Sequence, residues 1–230
     1  TGDLYITQAV GLGHTYFDNV HVLGDVIISG TGESYAGKSS ITFDNSTILN
    51  LIVTGSGDNI KTIKIDGTTT VETAKIYTST FLEELAYRDG GFRDIVFKGN
   101  KDSELYLTGD FNQVTVMGPE SSLYLNDANV NKLIVDEEAK KSEVSIDSDS
   151  YVNELLLDVG TEVTGNGKVG YLKVNAEGSE ISMLPDEVEI RPGLKAEVNG
   201  NEMTYKDAEE HSYSPKFMKG YPDVDNIGPS

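Results

Sequence analysis

The sequence predicts an all-β fold: a single-stranded right-handed parallel β-helix of roughly eight to nine coils, about 20 residues per coil, ending in a hairpin cap and a linker. Three observations predict it. The pattern apolar-x-x-apolar-x-apolar recurs eight times between Phe17 and Val174, a shorter apolar-x-apolar run precedes most copies, and turn-forming residues separate the two runs. Period-2 alternation points one face of each run inward, as a strand does. One such unit cannot bury its own apolar face, so repetition at this period implies stacked units with a shared core. Leucine-rich repeats need a helical return that this chain lacks, and a propeller blade needs roughly twice the length per repeat.

Taken in order, the longer pattern falls on Phe17/Val20/Val22, Ile48/Leu51/Val53, Val71/Ala74/Ile76, Phe92/Ile95/Phe97, Phe111/Val114/Val116, Val130/Leu133/Val135, Val152/Leu155/Leu157 and Val169/Leu172/Val174. The shorter run falls on Ile41/Phe43, Ile63/Ile65, Leu105/Leu107, Leu123/Leu125, Val144/Ile146 and Ile181/Met183, and Val163-Thr164-Gly165 loses its second apolar residue. Asp44-Asn45, Asp66-Gly67, Gly109-Asp110, Asn126-Asp127, Asp147 and Asn166-Gly167 supply the corners, because these residue types tolerate the backbone angles of tight turns. Within 80–87 the spacing of Phe81, Leu82 and Leu85 suits a short helix, expected as a bulge inserted in one coil. The β-helix is expected over residues 1–190. Residues 191–230 divide into a hairpin around Asn199-Gly200, which caps the last coil, and a polar, Pro-containing linker to a following module.

Composition narrows the function classes. Thirty-eight acidic residues against eighteen basic give a formal charge of −20, and such a surface repels phosphate backbones and anionic lipid. Nucleic acid is therefore not an expected partner. No stretch approaches the ~20 apolar residues of a membrane helix, so membrane insertion is not expected either. The first residues, TGDLYIT, carry neither an initiating Met nor a signal segment, and the chain is expected to be cut from a longer one. Absence of cysteine removes disulfides and thiolate metal sites from consideration.

Candidate sites are few. Tyr106 and Tyr124 stand in the middle of apolar-x-apolar runs 18 residues apart, so they should point outward at the same height of adjacent coils, and Tyr5 in Leu4-Tyr5-Ile6 has the same local setting at the far end. Rings in register suit contact with sugars, although cross-strand aromatic pairs also stabilise a sheet by themselves. Asp147-Ser148-Asp149 and Asp223-Val224-Asp225-Asn226 alternate oxygen ligands, but neither continues into a full calcium loop, and they read as solvated turns. The segment 87–94 holds Arg88 and Arg93, two of the three Arg, and is where a lyase or hydrolase site would be sought; Arg191 stands alone. His14, His21 and His211 lack a metal-ligand spacing or a Ser partner. No catalytic, metal or cofactor-binding residue is assigned, and no cofactor is expected.

The opening DLYITQAVGLGHTYFDNVHVLGDVIISG resembles the start of β-helical regions in large surface proteins of Gram-positive bacteria, which often carry surface-layer homology domains that anchor them to cell-wall polymer. The closing KGYPDVDNIGPS is similar to a linker into a fibronectin-like module. A more distant similarity is to the tāpirin cellulose adhesins, which also use a β-helix. The resemblance covers roughly residues 3–190 and implies an extracellular, wall-associated setting, with cell-wall polymer or another polysaccharide and neighbouring domains of the same chain as partners. The resulting expectation is a non-enzymatic spacer module that displays its neighbours. The alternatives are an adhesin that binds polysaccharide on a flat face and, third, a polysaccharide lyase or glycoside hydrolase.

Overall fold

The structure is a computed structural model that describes residues 2–7, 13–30, 39–55, 60–87 and 90–208. It is a parallel β-solenoid of about 8 turns, about 21 residues per turn. Each turn contributes two strand segments, and each segment pairs in parallel with its counterpart one turn away. One ladder runs through His14–Asp18, Ser40–Asp44, Lys61–Asp66, Thr80–Glu84 and the first half of Glu104–Val116. It continues through the first half of Ser122–Val135, then Glu143–Ile146, Glu162–Gly165, Glu180–Ile181 and Lys195–Val198. The second ladder runs from Leu4–Ile6 and His21–Ile28 to Lys168–Val174 and Glu187–Ile190.

The two halves of the strands Glu104–Val116 and Ser122–Val135 pair as the repeat requires: Leu105, Tyr106 and Leu107 against Leu123, Tyr124 and Leu125, and Phe111, Val114 and Val116 against Val130, Leu133 and Val135. Inward positions form continuous columns. Val26, Leu51, Ala74, Ile95, Val114, Leu133, Leu155 and Leu172 stack with no exposed surface, and Ile28 through Val174 form a second such column. Truncating one of these large side chains to Ala removes about 2–5 kcal/mol, because the coils above and below cannot collapse into the gap.

The corners use the residues that the sequence offers for them. Asn19, Asn45, Asp127 and Gly67 take positive φ, and buried hydroxyls satisfy backbone groups there: Ser46 Oγ accepts from Val20 N, and Ser150 Oγ accepts from Ala128 N. Gly165, where the apolar repeat lapses, has φ 109, and a Cβ there would meet the Ile146 carbonyl oxygen at 2.0 Å. That coil approaches its neighbour too closely for the missing side chain to exist.

Two expectations are corrected. Residues 80–84 form a strand, not a helix: Thr80, Phe81 and Leu82 pair with Leu105, Tyr106 and Leu107 on one side and with Lys61, Thr62 and Ile63 on the other. Ladder pairing on both edges outweighs the weak helical spacing. The first copy of the long pattern is also misplaced. Phe17 pairs with Phe43 in the first ladder, and the residues equivalent to Ile48, Leu51 and Val53 are Val22, Val26 and Ile28. One extra residue between Val22 and Asp25 breaks the register there, which hides the true spacing in the sequence.

At the C-terminal end the expected hairpin is present: Lys195–Val198 and Asn201–Thr204 pair antiparallel about Asn199 and Gly200, both at positive φ. Lys195–Val198 also pairs in parallel with Glu180–Ile181, so the hairpin's first strand is itself a rung of the solenoid. A short helix, Tyr205–Ala208, follows and buries Ala208, while Leu194 and Met203 pack on the core. The linker is expected from Lys206, but its first residues, Lys206–Ala208, belong instead to this helix; the rest of it and the 223–226 turn lie outside the described residues.

Candidate functional site

The register that stacks the core also stacks the outward positions, and one outward column is aromatic. Tyr106 and Tyr124 occupy it in adjacent coils, with ring centroids 4.7 Å apart and planes 13° from parallel. Phe81 stands at the same position one coil earlier, so three successive rungs carry aromatic rings. Phe81 is absent from the sequence expectation because its segment suits a helix; the signal that finds it is the alignment of Phe81-Leu82 with Tyr106-Leu107. Tyr106 donates its hydroxyl to Glu104 Oε2 at 3.0 Å. Burial, then that carboxylate, pushes the Tyr106 phenol up to about 12.

The facing surfaces of Tyr106 and Tyr124 cover one another, so the pair does not present two flat rings to solvent. The face of Tyr124 turned away from Tyr106 overlooks Ser145 and then Thr164, both small. The column therefore ends in a step, with one ring face and two hydroxyls beside it. Alongside runs an acidic column, Glu104, Ser122, Glu143, Glu162, Glu180 and Glu197, again in register. Four glutamates in succession thus stand one coil spacing apart, roughly 4.8 Å, a repulsive arrangement for exposed like charges.

Tyr5 does not join this column. Leu4–Ile6 belongs to the second ladder, where Tyr5 pairs with Ile27 and stands 63% exposed at the rod's end. The local similarity of Leu4-Tyr5-Ile6 to Leu105-Tyr106-Leu107 carries no information about which face a strand joins.

Two charged side chains occupy inward positions. Glu84 follows Phe43 and Ile65 in an inward column and is 8% exposed; its Oε2 accepts the Phe92 N–H at 2.9 Å. The carboxylate fits because Gly91 has no side chain: a Cβ there would lie 2.6 Å from Glu84 Oε1. Burial pushes the Glu84 carboxyl up to about 8, Asp110 adds to the rise, and the Phe92 N–H and Arg93 oppose it. Lys61 holds an inward position that Leu105 and Leu123 fill in later coils, and burial lowers its amine. Neither residue stands out in the sequence, where Glu83-Glu84 and Lys61 look like ordinary surface charge.

Arg93 is near enough to Glu84 for its charge to act on that carboxyl, whereas Arg88 lies outside the described residues. Arg191 is exposed near the C-terminal hairpin. Asp147 serves its own turn: its carboxylate accepts from Asp127 N, Asp149 N and Ser150 Oγ, the last at 2.6 Å. Among the described residues no group of three or more His, Asp or Glu is arranged to hold a metal ion. His14 Nδ1 lies 2.9 Å from Ser40 Oγ; His21 is exposed; His211 lies outside the described residues.

A further ladder lies on the second face. Asn153 Nδ2 donates to Asn131 Oδ1 at 3.2 Å, and Asn131 Nδ2 donates to Asn112 Oδ1 at 3.4 Å. Its trace in the sequence is the Asn after each first apolar residue in Phe111-Asn112, Val130-Asn131 and Val152-Asn153. Such a ladder replaces water by side-chain amides at each rung and binds coil to coil. No family model, curated protein or solved structure matches the chain.

Proposed function

We propose that the chain is a non-enzymatic spacer module of an extracellular bacterial surface protein, a stiff rod that holds neighbouring domains apart at the cell wall. The observation that carries this reading is the unbroken pairing of both ladders over about 8 turns around one core. At the strand spacing this gives a rod about 40 Å long, and bending it requires breaking pairing and packing together. Resemblance of the opening segment to wall-associated proteins supports the setting, as does the acidic, cysteine-free composition.

The test uses the absence of native cysteine. Spin labels at exposed Asp3 and Asn201 should give one narrow distance distribution, and excision of residues 122–142, which aligns Glu143 with the place of Ser122, should shorten it by about one coil spacing, ~4.8 Å. A broad distribution, or excision without shortening, would overturn the spacer reading.

The adhesin reading keeps one specific support, the free ring face of Tyr124 beside Ser145 and Thr164. Retention on insoluble cellulose, chitin or purified wall that is lost in Tyr124→Ala would move the conclusion to polysaccharide binding.

A further inference from the structure

The second ladder carries an aliphatic column on its outward side. Ile27, Ile52, Val96, Ile134 and Leu156 occupy it in register, with Lys75 between Ile52 and Val96 and Thr115 between Val96 and Ile134. Each of the five is half-buried between inward neighbours that have no exposed surface. In those coils the alternation of the repeat lapses into three apolar residues in succession, as in Leu133-Ile134-Val135. Continuous apolar runs belong to strands covered on both faces, whereas strands with one wet face alternate. Strand propensity does not account for the column, because the next outward column of the same strands is polar: Asp94, Gln113, Lys132 and Glu154 follow one another there. The central coils of this face lie within the continuously described stretch 90–208.

We infer that this face packs against the same face of a second copy of the chain, the two rods antiparallel and related by a two-fold axis that runs along the strands and passes Thr115. Such an axis sets each column against itself with the order of coils reversed. Val96 then faces Ile134 of the other copy. In the polar column beside them Asp94 faces Lys132, and among the residues that follow each strand Lys98 faces Asp136. Each pairing occurs twice, so four opposite-charge pairs flank an aliphatic centre. Moving the axis by one coil would instead set Lys98 against Lys98 and Asp94 against Asp94, or Asp136 against Asp136 and Lys132 against Lys132. Lys132 Nζ also lies 3.8 Å from Glu154 Oε2 in its own chain, which leaves it room to turn to the opposing Asp94. Sheets packed face to face stand ~10 Å apart with strands within about 30° of one another, a gap that a Lys stem and a carboxylate span. The seven coils from Ile52 to Lys173, with strands such as Thr47–Val53 and Lys168–Val174, present roughly 34 by 23 Å. That is on the order of 800 Å² per copy, the area a standard specific interface takes from each partner. The formal charge of −20 per chain repels a second copy at long range; physiological salt screens that repulsion beyond about 8 Å, while the four pairs act at contact.

Sedimentation equilibrium of the full chain, from low to high micromolar in physiological salt, should show mass rising from 24.9 kDa toward twice that value. Lys98→Glu, which sets Glu against Asp136, should raise the concentration of half-association by about tenfold or more. Combining it with Asp136→Lys should restore association by exchanging the pair. Combining it with Glu143→Lys, which restores the net charge on the first ladder, should not. Melting curves show that each variant is folded. Independently, Met117→Cys, which the axis sets against itself at the rim, should cross-link into a disulfide dimer in this cysteine-free chain, whereas Ser145→Cys on the first ladder should not. Diluted below the association range, residues 3 and 201 still report the length of one rod. A monomer at every concentration overturns the inference, and its retention on purified wall polysaccharide, lost in Ile134→Lys, would give the face to a glycan instead. Association indifferent to Lys98→Glu, or restored equally by Glu143→Lys, also overturns it, as does cross-linking through residue 145 instead of residue 117.

Discussion

Tyr106 lies flat on Tyr124, one coil above the other, with the ring planes 13° apart. Parallel offset rings at this separation contribute about 0.5–1.5 kcal/mol beyond the area they bury. In a double-mutant cycle of Tyr106→Ala and Tyr124→Ala, followed by denaturant unfolding, the coupling energy should fall in that range. A coupling near zero would mean that the rings are neighbours without being partners.

Glu84 makes stability depend on pH in a defined direction. Its folded value, about 8, lies above the ordinary carboxylate value of 4.5, so the folded state holds a proton that the unfolded state gives up. The associated stability is fully present below about pH 4.5 and is lost progressively as pH rises through about 8, on the order of 5 kcal/mol in all. Glu84→Gln should remove that slope and unfold at a higher temperature than the parent at pH 9, as read by thermal melts from pH 5 to 9. The parent's remaining acidic groups also favour lower pH through their mutual repulsion, so the difference between the two proteins is the diagnostic quantity.

The column Glu143, Glu162, Glu180 and Glu197 offers a third measurement. Glu162→Lys replaces two like-charge neighbours by two attractive ones and should stabilise the rod by about 0.5–1 kcal/mol at low salt. Raising salt to 1 M should erase most of that gain. A gain unchanged by salt would point to packing by the lysine stem instead.

Much of the fold is legible in the sequence because the apolar columns must repeat wherever coils stack. Leu105 over Leu123 and Val114 over Leu133 recur in space as they do along the chain. Legibility fails where a local exception is absorbed by neighbours. The extra residue between Val22 and Asp25 displaces the first copy of the pattern, and Phe81 is assigned to a helix because five residues of strand carry too short a signature to outweigh the leucines beside them. Of the candidate aromatic site, Tyr106 and Tyr124 are legible and Tyr5 is not, because alternation tells inward from outward without telling one face of the solenoid from another. Glu84 and Lys61 are illegible for a different reason: only the inward columns, seen in three dimensions, reveal that these charges stand where aliphatic side chains are the rule.

The 4.7 Å step between the Tyr106 and Tyr124 rings has a metrical consequence. Every outward column is graduated at the same interval, so the height of a side chain along the rod is fixed by which coil carries it. Two chemical groups placed n coils apart in one column stand close to 4.8n Å apart, whatever their type. The molecule is in that sense a ruler, with its markings written in the variable residues and its calibration held by the invariant spacing of the backbone.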